Sequence, residues 1–242
     1  MEELYRIENL SKSFENKKVL QNINLEIFRG EIFAFMGPSG VGKTTILRLL
    51  NLLEMPTTGK LIFNGNDNAI LQKNNVMRRM SMLFQRPAVF STSVFNNVAY
   101  GLVIRRVDKK TIEKKVIDAL ALVGLAGCEK QKAFTLSGGE AQRMAFARAI
   151  VFKPDVLILD EPTANLDPAN VAKIEDIIKK IRSELGTTII MASHNIYQVR
   201  RLADRVGILL NGELIEVNTK EQIFTQPKDA RSYAFINGEF IY

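Results

Sequence analysis

The chain has 242 residues, 46% of them hydrophobic and 24% charged, which is enough to bury one large core or two lobes. No apolar run approaches the ~18–20 residues of a membrane helix, the acidic and polar opening MEELYRIENL is unlike a signal peptide, and one cysteine, Cys128, excludes an internal disulfide. The expectation is a soluble chain in a reducing cytosol. A net charge of +7 and a pI near 9.5 suit an anionic partner, yet the densest basic run, Arg105 to Lys115, reads as a solvated helix face.

In chain order, LYRIENL and VLQNINLEI alternate as half-buried strands do, and EIFAFMG is continuous as a fully buried strand is. ILRLLNLLE has helical spacing and stops before Pro56 and Gly59, after which KLIFNG reads as a strand. From about Pro87 to Val151 the character changes: SVFNNVAYGL, KKTIEKKVIDALALVGL and GGEAQRMAFARAIV are helix-like, with little strand signal between them. Then come strand VLILDEP, helix VAKIEDIIKKIRSEL, strand TTIIMAS, helix NIYQVRRLA, and strands VGILLNG and ELIEV. This alternation predicts an α/β fold with a parallel sheet under helical cover and a helical lobe inserted into it.

The stretch GPSGVGKTT, residues 37 to 45, lies between a predicted strand and a predicted helix and fits G-x-x-x-x-G-K-[ST]. Gly37, Gly40 and Gly42 let the backbone curl so that N–H groups point at phosphate oxygens, and the helix N-terminus adds its dipole. Lys43 brings a mobile charge to the β- and γ-phosphates, and Thr44 can place its hydroxyl on Mg²⁺. Pro38, Ser39, Val41 and Thr45 complete the loop. The bland alternative is a glycine-rich connection with no ligand; the strand–loop–helix context speaks against it.

A bound nucleoside triphosphate needs a metal, a positioned water and charge stabilisation. VLILDEP ends a buried strand with two adjacent carboxylates: Asp160 would orient Mg²⁺, and Glu161 would polarise the attacking water. Glu161 also reads as an early helix residue. His194, the only histidine, follows TTIIMAS, so it falls on the same rim and can reach the γ-phosphate. Gln85, after the short apolar run SML, is by itself polar surface. FTLSGGEAQRM offers a second anion-binding helix N-terminus, with Ser137 as cap and Gly138 and Gly139 exposing backbone. Two phosphate sites and one set of hydrolytic groups suggest head-to-tail pairing with a second copy.

Taken together, these motifs resemble the ATP-binding subunit of an ABC transporter. Walker A GPSGVGKT, the Q-loop Gln85, the signature LSGGE, Walker B VLILD followed by Glu161, the D-loop ANLD and the switch His194 occur in that family's order, and the resemblance spans nearly the whole chain. It implies a P-loop NTPase with a RecA-like parallel-sheet core, an N-terminal antiparallel β subdomain and an inserted α-helical subdomain. The single ABC ATPase domain would cover 1–242, with 1–86 and 152–242 as core and 87–151 as the helical signature subdomain. ATP and Mg²⁺ are the implied cofactors. Phe14 falls where the family stacks an aromatic on adenine; Gln85 where a glutamine reaches Mg²⁺ and the membrane subunit; Asp167 in the loop that crosses a dimer interface.

The implied partners are a second copy, transmembrane permease subunits and, indirectly, a substrate-binding protein, with no nucleic acid; the implied location is the cytoplasmic face of the membrane. PAVFSTSVFNNVAYGL would form part of the docking groove. Two departures stand out: Glu140 ends the signature where the family commonly has glutamine, so its carboxylate is expected to turn from the triphosphate, and Asn165 replaces a small D-loop residue. Repair and translation relatives carry a long coiled coil or a second cassette, which this sequence lacks, and a nucleotide-gated scaffold is disfavoured by Glu161 and His194. For cargo, FQRPAVFSTSVFNNVAYGL and the AFINGEFIY tail resemble oxyanion importers: tungstate first, then phosphate or molybdate, with polar amino acids as a further option.

Overall fold

The computed structural model describes residues 2–15, 17–66 and 73–239; the last three residues of the AFINGEFIY tail lie outside them. Strands β1 (Glu3–Phe14) and β2 (Lys17–Phe28) form a long antiparallel hairpin, and β4 (Thr58–Phe63) joins the other edge of β1 to give a three-stranded sheet.

The second sheet has the order β5 (Met80–Leu83), β6 (Val156–Asp160), β7 (Thr188–Ala192), β3 (Ile32–Met36), β8 (Arg205–Leu210) and β9 (Glu213–Thr219). Its pairs are parallel except β8 with β9, which form a hairpin. The continuous apolar runs follow from burial on both faces. Ile32, Ala34 and Met36 join one core with Leu157, Leu159, Ile189 and Met191. Phe33 and Phe35 join the other with Val156, Ile158, Ile190 and Ala192. The period of two thus divides each central strand between two cores.

The first core is closed by α3 (Val94–Ile104), α4 (Lys109–Leu122), α5 (Gly138–Ile150), α6 (Pro168–Leu185) and α7 (Ile196–Leu202). The second is closed by α1 (Lys43–Leu50) and the antiparallel sheet. The short helices α2 (Lys73–Met77), α8 (Lys220–Thr225) and α9 (Ala230–Ile236) complete the described chain. No helix among the described residues is long and apolar enough to cross a membrane.

The strand readings fall on observed strands, with β1 and β2 extending well beyond the alternating runs because they pair with each other along most of their length. Helix α1 begins at Lys43, three residues before the apolar spacing starts.

Candidate functional site

Residues 37–42 carry the chain from β3 into α1 along a tight path. A Cβ at Gly37 would lie 2.1 Å from the Leu209 carbonyl oxygen of β8, so only glycine passes there. Gly42, with φ of 109°, occupies the N-cap position of α1, where no side chain takes the helix N–H groups.

Lys43 is buried and folds back over the loop, its Nζ donating to the carbonyls of Gly37 (2.7 Å) and Pro38 (2.8 Å). Burial pushes the ammonium pKa down, while Glu161 and Asp160 oppose that shift. Thr44 Oγ1 donates to Asp160 Oδ2 at 2.9 Å, joining the start of α1 to the end of β6. Burial pushes the Asp160 carboxyl up, against the Thr44 hydrogen bond.

The next residue, Glu161, has a left-handed backbone (φ 48°), a strained conformation for a residue with a side chain. Its N–H donates to the Ala192 carbonyl of β7 (3.1 Å), and its Oε1 meets His194 Nδ1 at 2.9 Å. His194 is exposed and Glu161 is largely covered. The tight turn after β6 aims the carboxylate along the rim toward the loop after β7.

These groups line one cavity of about 850 Å³ at the carboxyl ends of the parallel strands, where ligands of open α/β sheets bind. Gly37, Pro38, Ser39, Gly40, Gly42, Lys43, Thr44 and Thr45 form its floor; Gln85, Asp160, Glu161 and His194 supply the remaining polar wall. Val19 and Phe235 also line it. Neither follows from local sequence: Val19 is one apolar position in an alternating strand, and Phe235 arrives from α9 through the packing of that helix on β9.

The other predicted residues lie outside this lining. Phe14 is exposed at the end of β1, with Lys12 Nζ 4.6 Å from its ring centre. The Val41 side chain turns back toward Gly37. Asp167 caps α6, and hydrogen bonds from Asn170 hold its carboxyl below the usual range.

Ser137, Gly138 and Gly139 open α5 within a complete capping box. Glu140 Oε2 accepts from Ser137 N (2.9 Å) and from Ser137 Oγ (2.7 Å). The Glu140 carboxylate turns back onto Ser137, because Ser-x-x-Glu at a helix start closes reciprocally.

The donor set of Thr44 and Asp160 suits a hard cation that takes one or two protein oxygens and fills its sphere from phosphate and water. Among the described residues no group of three His, Cys, Asp or Glu forms a dedicated metal cage.

Comparison with known proteins bears on this geometry. Residues 20–164 match the family described as ABC transporter. The phosphate import ATP-binding protein PstB 2 of Natronomonas pharaonis is 43% identical, over 98% of this chain and 87% of its own length. A probable anion import ATP-binding protein of Haloferax volcanii is 40% identical, over 97% of this chain and 86% of its own. Among solved structures, cbiO1 of Clostridium perfringens, part of the ABC transporter complex cbiONQ, superposes with a TM-score of 0.86 at 30% identity, covering 99% of this chain and 97% of that one. A dimeric ATP-binding cassette in a post-hydrolysis state with ADP and Pi gives 0.80 at 28% identity, covering 90% and 99%.

Proposed function

The chain belongs to the ABC transporter family as an ATP-binding subunit that hydrolyses ATP, and on that premise we propose that a homodimer of it powers import of an oxyanion. The observation that carries the catalytic part is the single cavity in which Lys43, the Thr44–Asp160 pair and the Glu161–His194 pair converge.

A triphosphate seated along the loop draws Lys43 Nζ from the Gly37 and Pro38 carbonyls and meets the uncapped N–H groups of α1. Thr44, Asp160 and Gln85 would hold Mg²⁺, which would supply charge neutralisation to the triphosphate. Glu161 accepts the proton of the attacking water. With His194 Nδ1 donating to Glu161 Oε1, a neutral imidazole has no proton on Nε2. Donation to the γ-phosphate then requires the imidazolium or release from Glu161. In this reading Phe14 stacks on adenine.

The start of α5 lies outside the cavity, so Ser137, Gly138 and Gly139 act on the nucleotide of a second copy, with Asp167 at the interface. The dimeric relative supports that arrangement. Residues 87–151 are read as the helical subdomain that docks on permease subunits at the cytoplasmic face. Exposed Val89, Phe90 and Tyr100 support this, the last two with ring centres 4.9 Å apart. A substrate-binding protein would deliver cargo to the permease. The two anion-importer relatives favour an oxyanion cargo, with tungstate, phosphate and molybdate as the set to test.

Glu161→Gln removes the base and leaves the cradle. Turnover should fall about 10²–10⁴-fold, and an ATP-bound dimer should accumulate in sedimentation; a monomer at saturating Mg-ATP overturns the sandwich. Reconstitution with a permease and a substrate-binding protein that support its ATPase tests the cargo: one oxyanion should raise ATPase rate and uptake together, and stimulation by an amino acid alone overturns the oxyanion reading.

A further inference from the structure

The loops after β6 and β7 carry Glu161 and His194, and a buried side chain of α7 joins them. Gln198 is fully buried. Its Oε1 accepts from Ser193 Oγ (2.9 Å), the residue before His194. Its Nε2 donates to Thr163 Oγ1 (2.8 Å), two residues after Glu161. Ser193 Oγ also accepts from Asn195 N (3.1 Å), so its one proton is left for Gln198. From the other side, buried Gln142 of α5 donates Nε2 to the Pro162 carbonyl (2.8 Å). The result is a run of side chains from α5, past the residues that follow Glu161, to the residue that precedes His194.

A buried amide can be mere core cement, and packing alone would be met by leucine. Here the two ends of one amide hold the flanks of the two loops that present the reacting pair, and Glu161 sits in a strained backbone that its surroundings must hold. We propose that Gln198 is a positioning residue that keeps Glu161 within reach of His194, and that Gln142 ties this arrangement to the signature helix α5. The inference rests on the ATPase reading.

Gln198→Leu removes both hydrogen bonds at similar volume. kcat should fall about 10- to 100-fold, with KM for ATP within about twofold of wild type, because Lys43 and its loop are untouched. Gln198→Glu should return most of kcat. An ionised carboxylate accepts from both hydroxyls; a protonated one accepts from Ser193 and donates to Thr163. If Gln198→Leu fails to fold, Thr163→Val removes only the outer acceptor and is read for the same split in kcat and KM. Wild-type kcat in either variant overturns the proposal, as does a loss shared by ATP binding, kcat and melting temperature, or absence of rescue by glutamate. Wild-type protein that binds ATP without turnover sinks the ATPase reading, and the inference with it, before any variant is made.

Discussion

Helices α1 and α5 both open on glycines, yet they treat their first N–H groups in opposite ways. At α1 the cap position is Gly42, no side chain caps the helix and its first turn holds no acid. At α5, Ser137 caps, Glu140 closes the box, and a carboxylate sits among the amides. The other long helices resemble α5 in this respect: Ser93, Asp108 and Asp167 cap α3, α4 and α6. A glycine at the cap in place of Ser, Thr, Asp or Asn costs only roughly a few tenths of a kcal/mol, so α1 gives up little stability where an anion can take the place of the cap. Helix α5 is finished as it stands, and anything that binds there must share it with Glu140. One helix start is left open within the chain; the other is closed by its own side chains.

Among changes that test this contrast between helix starts, the largest effect should come from Lys43→Ala, which strikes the open one alone. The loss in kcat/KM for ATP should reach about 10²–10³-fold, with α5 and the melting temperature little changed. Wild-type turnover in that variant would break the comparison by showing that the uncapped helix is not where phosphate acts.

A smaller effect sharpens it from the other side. Glu140→Gln keeps an acceptor for Ser137 and removes the charge, which the box holds firmly ionised: the Ser137 hydrogen bonds push that carboxyl pKa down. ATP-driven dimerisation, followed by light scattering, should strengthen about two- to fivefold. Weaker dimerisation would mean that the carboxylate serves the interface.

The two helix starts were unequally legible. The loop before α1 is visible because its chemistry is consecutive, and the same holds for Asp160 and Glu161 at the end of one apolar strand. Glu140 was visible as a departure from the family's glutamine, and its turn onto Ser137 follows from the Ser-x-x-Glu spacing of a capping box. The left-handed backbone of Glu161 was invisible, because nothing but glycine or asparagine advertises positive φ. Phe235, Gln142 and Gln198 were out of reach for another reason. Each is placed by helices packing from elsewhere in the chain, and α8 and α9 carry too short an apolar pattern to declare themselves.

The smallest effect concerns the charges that line the open surface. Asp160 has its folded pKa raised by burial, so the folded chain holds that proton more tightly than the unfolded one. This contribution to stability is full below the unfolded value and is lost as pH rises through the folded value. At neutral pH the ionised carboxylate is therefore a burden. Asp160→Asn should melt higher than wild type at pH 7 while losing activity, and the two curves should converge as pH falls below the ordinary carboxylate range. A gap that widens in acid would show Asp160 to be a net stabiliser.

His194 has a practical side. It is the only histidine in the chain, it is exposed, and it stands beside Glu161 at the cavity rim. The untagged protein therefore carries a reporter that needs no labelling scheme: one imidazole, one pair of ring-proton resonances. Nucleotide arrival, loss of the Glu161 contact and closure by a second copy each change the surroundings of that ring. A single resonance can separate events that a turnover assay folds into one number.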